Sequence, residues 1–121
     1  MNALDSTFNG DYEIGLCKFS STGNLLISTY IGGSDDDHPS DIQFDQYGSI
    51  YIAGTTRSLD FPLVRAYDDS LGGSIDAFIM KLTESIDEIR FSTFLGGSNT
   101  EDLVGIGLNP EGGIVLSLIH I

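Results

Sequence analysis

The sequence predicts an all-β fold of repeated antiparallel sheets, and three observations carry that expectation. The stretch Ser28-Thr29-Tyr30-Ile31-Gly32-Gly33-Ser34 returns as Ser92-Thr93-Phe94-Leu95-Gly96-Gly97-Ser98, with Thr29 and Thr93 64 positions apart. A long period with matched glycines is the mark of a repeat architecture. Short runs rich in β-branched and aromatic residues alternate with Gly, Asn and Asp turns, as strands and hairpins require. No window of about eleven residues carries a 3.6-residue apolar period, so no long helix is expected.

The flanks of the repeated stretch recur as well. Asp41-Ile42-Gln43-Phe44-Asp45 is echoed by Gly105-Ile106-Gly107-Leu108-Asn109, and Gly48-Ser49-Ile50 by Gly112-Gly113-Ile114. Upstream the offset is 63, from Ala3 to Ala66, so one residue is gained between Lys81 and Ser92. Repeat 1 therefore runs from about 3 to 65 and repeat 2 from about 66 to 117. Fewer than two full units is short for a stacked array.

Taken in order, residues 13–19 read as a strand and Ser20-Ser21-Thr22-Gly23-Asn24 as a turn of small polar residues and a glycine. Leu25–Ile31 closes the hairpin. Residues 41–44 and 50–54 form the next pair around Asp45-Gln46-Tyr47-Gly48. Residues 57–75 are the longest stretch without a strand pattern. Within it Asp60-Phe61-Pro62-Leu63 favours an extended path, with Phe61 and Leu63 tucked against a sheet. Residues 77–82, 88–95, 104–108 and 114–116 repeat the strand pattern. Strands such as Ile50-Tyr51-Ile52-Ala53-Gly54 are apolar on both faces, so both faces are covered. Neighbouring blades of a β-propeller stack in that way.

Composition narrows the function. Eighteen carboxylates stand against 5 basic residues, a formal charge of −13. Nucleic acid and anionic membrane surfaces would be repelled. No apolar run approaches the roughly 18 residues of a membrane-spanning helix, and Met1-Asn2-Ala3-Leu4-Asp5 has neither the basic start nor the apolar core of a signal peptide. Cys17 is the only cysteine, which rules out an intrachain disulfide or a cysteine-rich zinc site.

Four stretches together resemble the SBBP repeat, a bacterial β-propeller repeat. They are Asp76-Ala77-Phe78-Ile79-Met80-Lys81-Leu82, Ser92-Thr93-Phe94-Leu95-Gly96-Gly97-Ser98, Asp45-Gln46-Tyr47-Gly48-Ser49-Ile50-Tyr51-Ile52-Ala53-Gly54 and Ser58-Leu59-Asp60-Phe61-Pro62. The resemblance covers nearly the whole chain. It implies one four-stranded antiparallel sheet per blade in an incomplete propeller of about two sequence repeats. By analogy with other propellers, residues 41–44 and 50–55 would be the inner strands of one complete blade. Residues 76–82 and 88–95 would be its outer strands, with a hairpin on either side. Two departures stand out. Glu13-Ile14-Gly15-Leu16 replaces the Asp-Ala-Phe-Ile of the second copy, and Leu118 stands where Gly54 predicts glycine. Leu116-Ser117-Leu118-Ile119-His120-Ile121 also matches the translation of a sequencing adapter and reads as read-through. The alternative is a natural apolar strand end.

Candidate chemistry concentrates in Asp35-Asp36-Asp37-His38-Pro39-Ser40-Asp41. Its first reading is a solvated turn whose carboxylates cap backbone N–H groups. Its second is a calcium site with Asp35, Asp37 and Asp41 as ligands, although the spacing matches no complete calcium loop. His38 has only His120 as a possible histidine partner, Asp68 and Asp69 form no defined carboxylate pair, and no nucleophile elbow or phosphate loop occurs. No catalytic or cofactor-binding residue is assigned. The resemblance thus implies a non-enzymatic structural, binding or adhesion module of a secreted or cell-surface bacterial protein. Its partners would be a protein or glycan ligand and neighbouring repeats of one longer chain. The alternatives are part of a propeller enzyme, a glycan hydrolase or lyase with its site elsewhere, and a calcium-stabilised binding module. With too few strands to close a ring, Phe78, Met80 and Ile52 are expected on an uncovered apolar face that drives self-association.

Overall fold

The structure, a computed structural model, describes residues 12–96 and 101–120. Among them eight strands form three antiparallel sheets. Strands β1 (Ile14–Phe19) and β2 (Leu25–Ile31) make the first hairpin. Strands β3 (Asp37–Phe44), β4 (Ile50–Thr56), β5 (Asp76–Leu82) and β6 (Ile89–Leu95) make a four-stranded sheet in chain order. Strands β7 (Glu101–Leu108) and β8 (Ile114–His120) make the last hairpin. The fold is an all-β incomplete propeller: one complete blade with a half-blade on each side. The complete blade draws two strands from each sequence repeat, as the propeller analogy implies. The second Gly-Gly-Ser at Gly97 and Ser98, and the start of repeat 1, lie outside the described residues.

Alternation along β4 and β5 explains how the sheets stack. Ile50, Ile52, Phe78, Met80 and Leu82 point to one face and meet Ile14, Leu16 and Ile31 of the first hairpin. Tyr51, Ala53, Ala77 and Ile79 point to the other and meet Ile106, Ile114 and Leu116 of the last. The central sheet is therefore buried on both sides, the condition its apolar strands require. Phe61 adds to the first interface, its ring 4.5 Å from Phe78 and 6.2 Å from Phe94. Val64 is bridged to Ser92 beyond it, so the long loop lies along β6.

Two expectations need correction. Phe78, Met80 and Ile52 are not uncovered: their exposures are 0%, 0% and 2%, because the first hairpin and Phe61 seal that face. Exposed apolar residues among those described include Phe19, Leu25, Leu26, Ile42, Phe44, Leu59, Val115 and Leu118. Secondly, the acidic stretch is not wholly a turn. Asp37, His38 and Pro39 belong to β3 and pair with Thr56, Thr55 and Gly54. A bulge between Pro39 and Asp41 lets the strand pass a residue that has no N–H to donate. At this bulge a β-carbon on Gly54 would run into the His38 carbonyl and lie 2.9 Å from Pro39 Cα. The same bulge recurs between Leu103 and Gly105, where Leu118 replaces the glycine. Leu116, Ser117 and Leu118 belong to β8, within the stretch that also reads as adapter sequence.

Candidate binding groove

The carboxylates singled out in the sequence are not brought together. Asp37 is buried, and its carboxylate accepts hydrogen bonds from Thr56 Oγ1 (2.5 Å), Ser58 Oγ (3.1 Å) and the Gly33 N–H (2.8 Å). Burial pushes its pKa up, and these three donors oppose the rise. Asp35 is exposed, and its Oδ1 accepts from the Asp36 N–H. Asp41 receives the Ile42 N–H on Oδ1 and the Ile106 N–H on Oδ2 at 3.0 Å, linking β3 to the neighbouring hairpin. Among the described residues, no three His, Cys, Asp or Glu side chains form a group able to hold a metal ion. His38 sits beside Tyr12, ring centroids 5.3 Å apart.

Other aspartates also hold backbone in place. Asp60 accepts from the Ser34 N–H (2.8 Å) and Oγ (3.1 Å), and the Ser34 N–H is the main cause holding its pKa below the usual value. Asp76 gathers the Gly72 and Gly73 N–H groups, repeating the link between Asp37 and Gly33. Side-chain oxygens at turns suit this task because they accept from N–H groups that no strand partner reaches.

The concavity with the most exposed chemistry lies between two equivalent turns. In the β3–β4 turn, Asp45 Oδ1 accepts from the Tyr47 and Ser49 N–H groups, and Tyr51 Oη donates to Oδ2 at 3.0 Å. Slight desolvation acts to raise the Asp45 pKa, but Tyr51, the two N–H groups and Lys81 outweigh it and hold it low. In the β7–β8 turn, Asn109 Oδ1 does the same work, accepting from Glu111 and Gly113. Gly48 and Gly112 take the positive φ that each turn needs, +84° and +87°.

Between these turns opens a cleft of about 570 Å³ lined by Phe44, Asp45, Tyr47, Leu108, Pro110 and Glu111. Tyr47 is 76% exposed and Phe44 63%. Two free aromatic rings beside two carboxylates can stack on the apolar face of a sugar or side chain while accepting hydrogen bonds from its polar edge. Both turns were legible in the sequence and the cleft was not. The Asp-x-x-Gly and Asn-x-x-Gly patterns were visible, but their side-by-side placement depends on the stacking of two sheets.

Residues 26–62 match the family model of SBBP, a β-propeller repeat. The chain carries an SBBP repeat. The matched span runs from β2 through β4 to Pro62, so it includes the first turn of the groove and the whole Asp37 network. The second SBBP-like copy supplies the other turn. No curated protein matches the chain.

Proposed function

We propose that this SBBP chain is a non-enzymatic structural and binding module of a secreted or cell-surface bacterial protein. The groove between successive turns is its ligand-contacting surface. The observation that carries this reading is the pair of exposed rings, Phe44 and Tyr47, set beside Asp45 and Glu111 in a concavity. A structural role is also supported by how the carboxylates are used. Asp37, Asp41, Asp45, Asp60 and Asp76 each hold a turn, a bulge or a neighbouring hairpin through hydrogen bonds. The ligand class that fits is a glycan or an extended peptide with donors for the carboxylates.

Glycan and peptide arrays, followed by calorimetry on the hits, test the proposal. Tyr47→Ala is expected to weaken a bound ligand about tenfold or more while leaving the melting temperature unchanged, since Tyr47 is exposed. A ligand whose affinity ignores Tyr47, Phe44 and Glu111 substitutions would move the binding surface elsewhere. Reproducible turnover of a glycoside, ester or peptide, abolished by one Asp or His substitution, would replace the binding reading by an enzymatic one.

A further inference from the structure

We infer that the groove between the two turns takes the guanidinium of an arginine in an extended basic peptide, stacked on Tyr47 and paired with Asp45 and Glu111. The inference rests on the reading of this groove as the ligand-contacting surface, and adds the charge of what it holds. Both walls belong to described elements. The β3–β4 turn supplies Asp45 and Tyr47, and the β7–β8 turn supplies Pro110 and Glu111. The lining holds two carboxylates and no basic side chain.

No salt bridge of the chain neutralises these walls. Among the described residues the one ion pair joins Arg90 to Glu88. Lys81 lowers the Asp45 pKa through its charge, but its ammonium is held over the Tyr51 ring, 5.3 Å from the centroid. Asp45 is also oriented in advance. Its Oδ1 accepts from two N–H groups and its Oδ2 from Tyr51 Oη, which leaves Oδ2 a further acceptor site for a ligand donor. Glu111 is exposed on the opposite wall.

Charge decides between the ligand classes the groove accommodates. A neutral sugar can stack on the ring and donate to the carboxylates, yet it leaves two negative charges facing each other. A cation relieves that repulsion and adds attraction to the face of an aromatic ring. The molecule already shows the arrangement: Lys81 lies over Tyr51, whose hydroxyl is bonded to Asp45. Tyr47, 76% exposed, offers a second ring beside the same carboxylate. A guanidinium suits it better than an ammonium, because it is flat enough to stack and its donors fork towards carboxylates. Eighteen carboxylates against 5 basic residues favour the approach of such a ligand.

The probe is a capped peptide of alternating glycine and arginine. Its twin carries citrulline in place of arginine, which keeps the shape and removes the charge. Calorimetry on the full chain is expected to show binding of the arginine peptide, weakened about fivefold or more by citrulline. Glu111→Gln and Tyr47→Ala should each weaken it while the melting temperature stays unchanged, since both residues are exposed. Asp69→Asn removes one charge from the exposed 57–75 loop and should leave binding as it was. No binding of the arginine peptide, or equal binding of its citrulline twin, would overturn the inference. So would equal losses from Asp69→Asn and Glu111→Gln, which would mean diffuse attraction to the whole acidic surface. A neutral oligosaccharide whose binding needs Tyr47 but not Glu111 would also overturn it, yet keep the groove as the binding surface. Arginine-peptide binding indifferent to both Tyr47 and Glu111 would remove the groove reading as well.

Discussion

Asp37 shows how one residue fixes local structure. Its carboxylate ties the Gly33 N–H at the end of β2 to Thr56 at the end of β4 and to Ser58 beyond it. Asp37→Ala leaves a buried N–H and two hydroxyls without this acceptor, and about 2–4 kcal/mol of stability should be lost in urea unfolding. Titration separates Asp37 from Asp60. The folded pKa of Asp37 is raised above 3.8, so its contribution is full below that value and is lost as pH rises through the folded pKa. The folded pKa of Asp60 is lowered from 3.8, so its contribution is present above that value and is lost as pH falls. Relative to the wild type, Asp37→Asn should thus gain stability as pH rises from about 3 to about 7, and Asp60→Asn should lose it. Parallel curves for the two variants would contradict the assignment. Neither sign was legible in the sequence, where both residues read alike as turn aspartates.

A second residue-scale contrast lies in the two equivalent hairpin turns. Gly23 has φ +90° with open space around it, and its counterpart Ile86 has φ +57° and is fully buried. A β-branched residue in the left-handed region costs about 1–2 kcal/mol. Burying its side chain in the first interface offsets that. Ile86→Gly should destabilise the fold by about 1–3 kcal/mol, because the lost side chain outweighs the relieved strain. Gly23→Ile should destabilise by about 1–2 kcal/mol with nothing to offset it. Chemical denaturation of both variants checks this pair, and an Ile86→Gly protein more stable than wild type would refute it.

At the scale of elements, the eight strands and their turns were largely legible, because apolar runs and Gly or Asn turns are local signals. The extension of β3 back to Asp37 was not. A run of Asp, His, Pro and Ser carries no strand pattern, and it is held extended by pairing with β4 and by the bulge at Pro39. The bulge in turn explains Gly54. Gly54→Ala sets a β-carbon against backbone on the partner strand and should cost about 2–3 kcal/mol, read as a fall in the unfolding midpoint. An alanine accommodated without loss would mean that the bulge is free to shift.

At the scale of the molecule, the sequence carried the repeat and hence the stacked sheets, but misjudged which surfaces stay open. Alternation shows that Phe78 and Met80 face a neighbouring sheet; only tertiary packing shows that the first hairpin already provides it. The groove was hidden for the same reason.

The complete blade draws two strands from each sequence repeat, so that β4 pairs with β5 across the 57–75 loop. Cross-strand nuclear Overhauser effects in the isotope-labelled chain test this most directly. Contacts are expected between β4 and β5 in the register of Ile52 with Met80 and Gly54 with Phe78. Contacts joining β2 to β3, with none between β4 and β5, would place the blade boundary at the repeat boundary and contradict it.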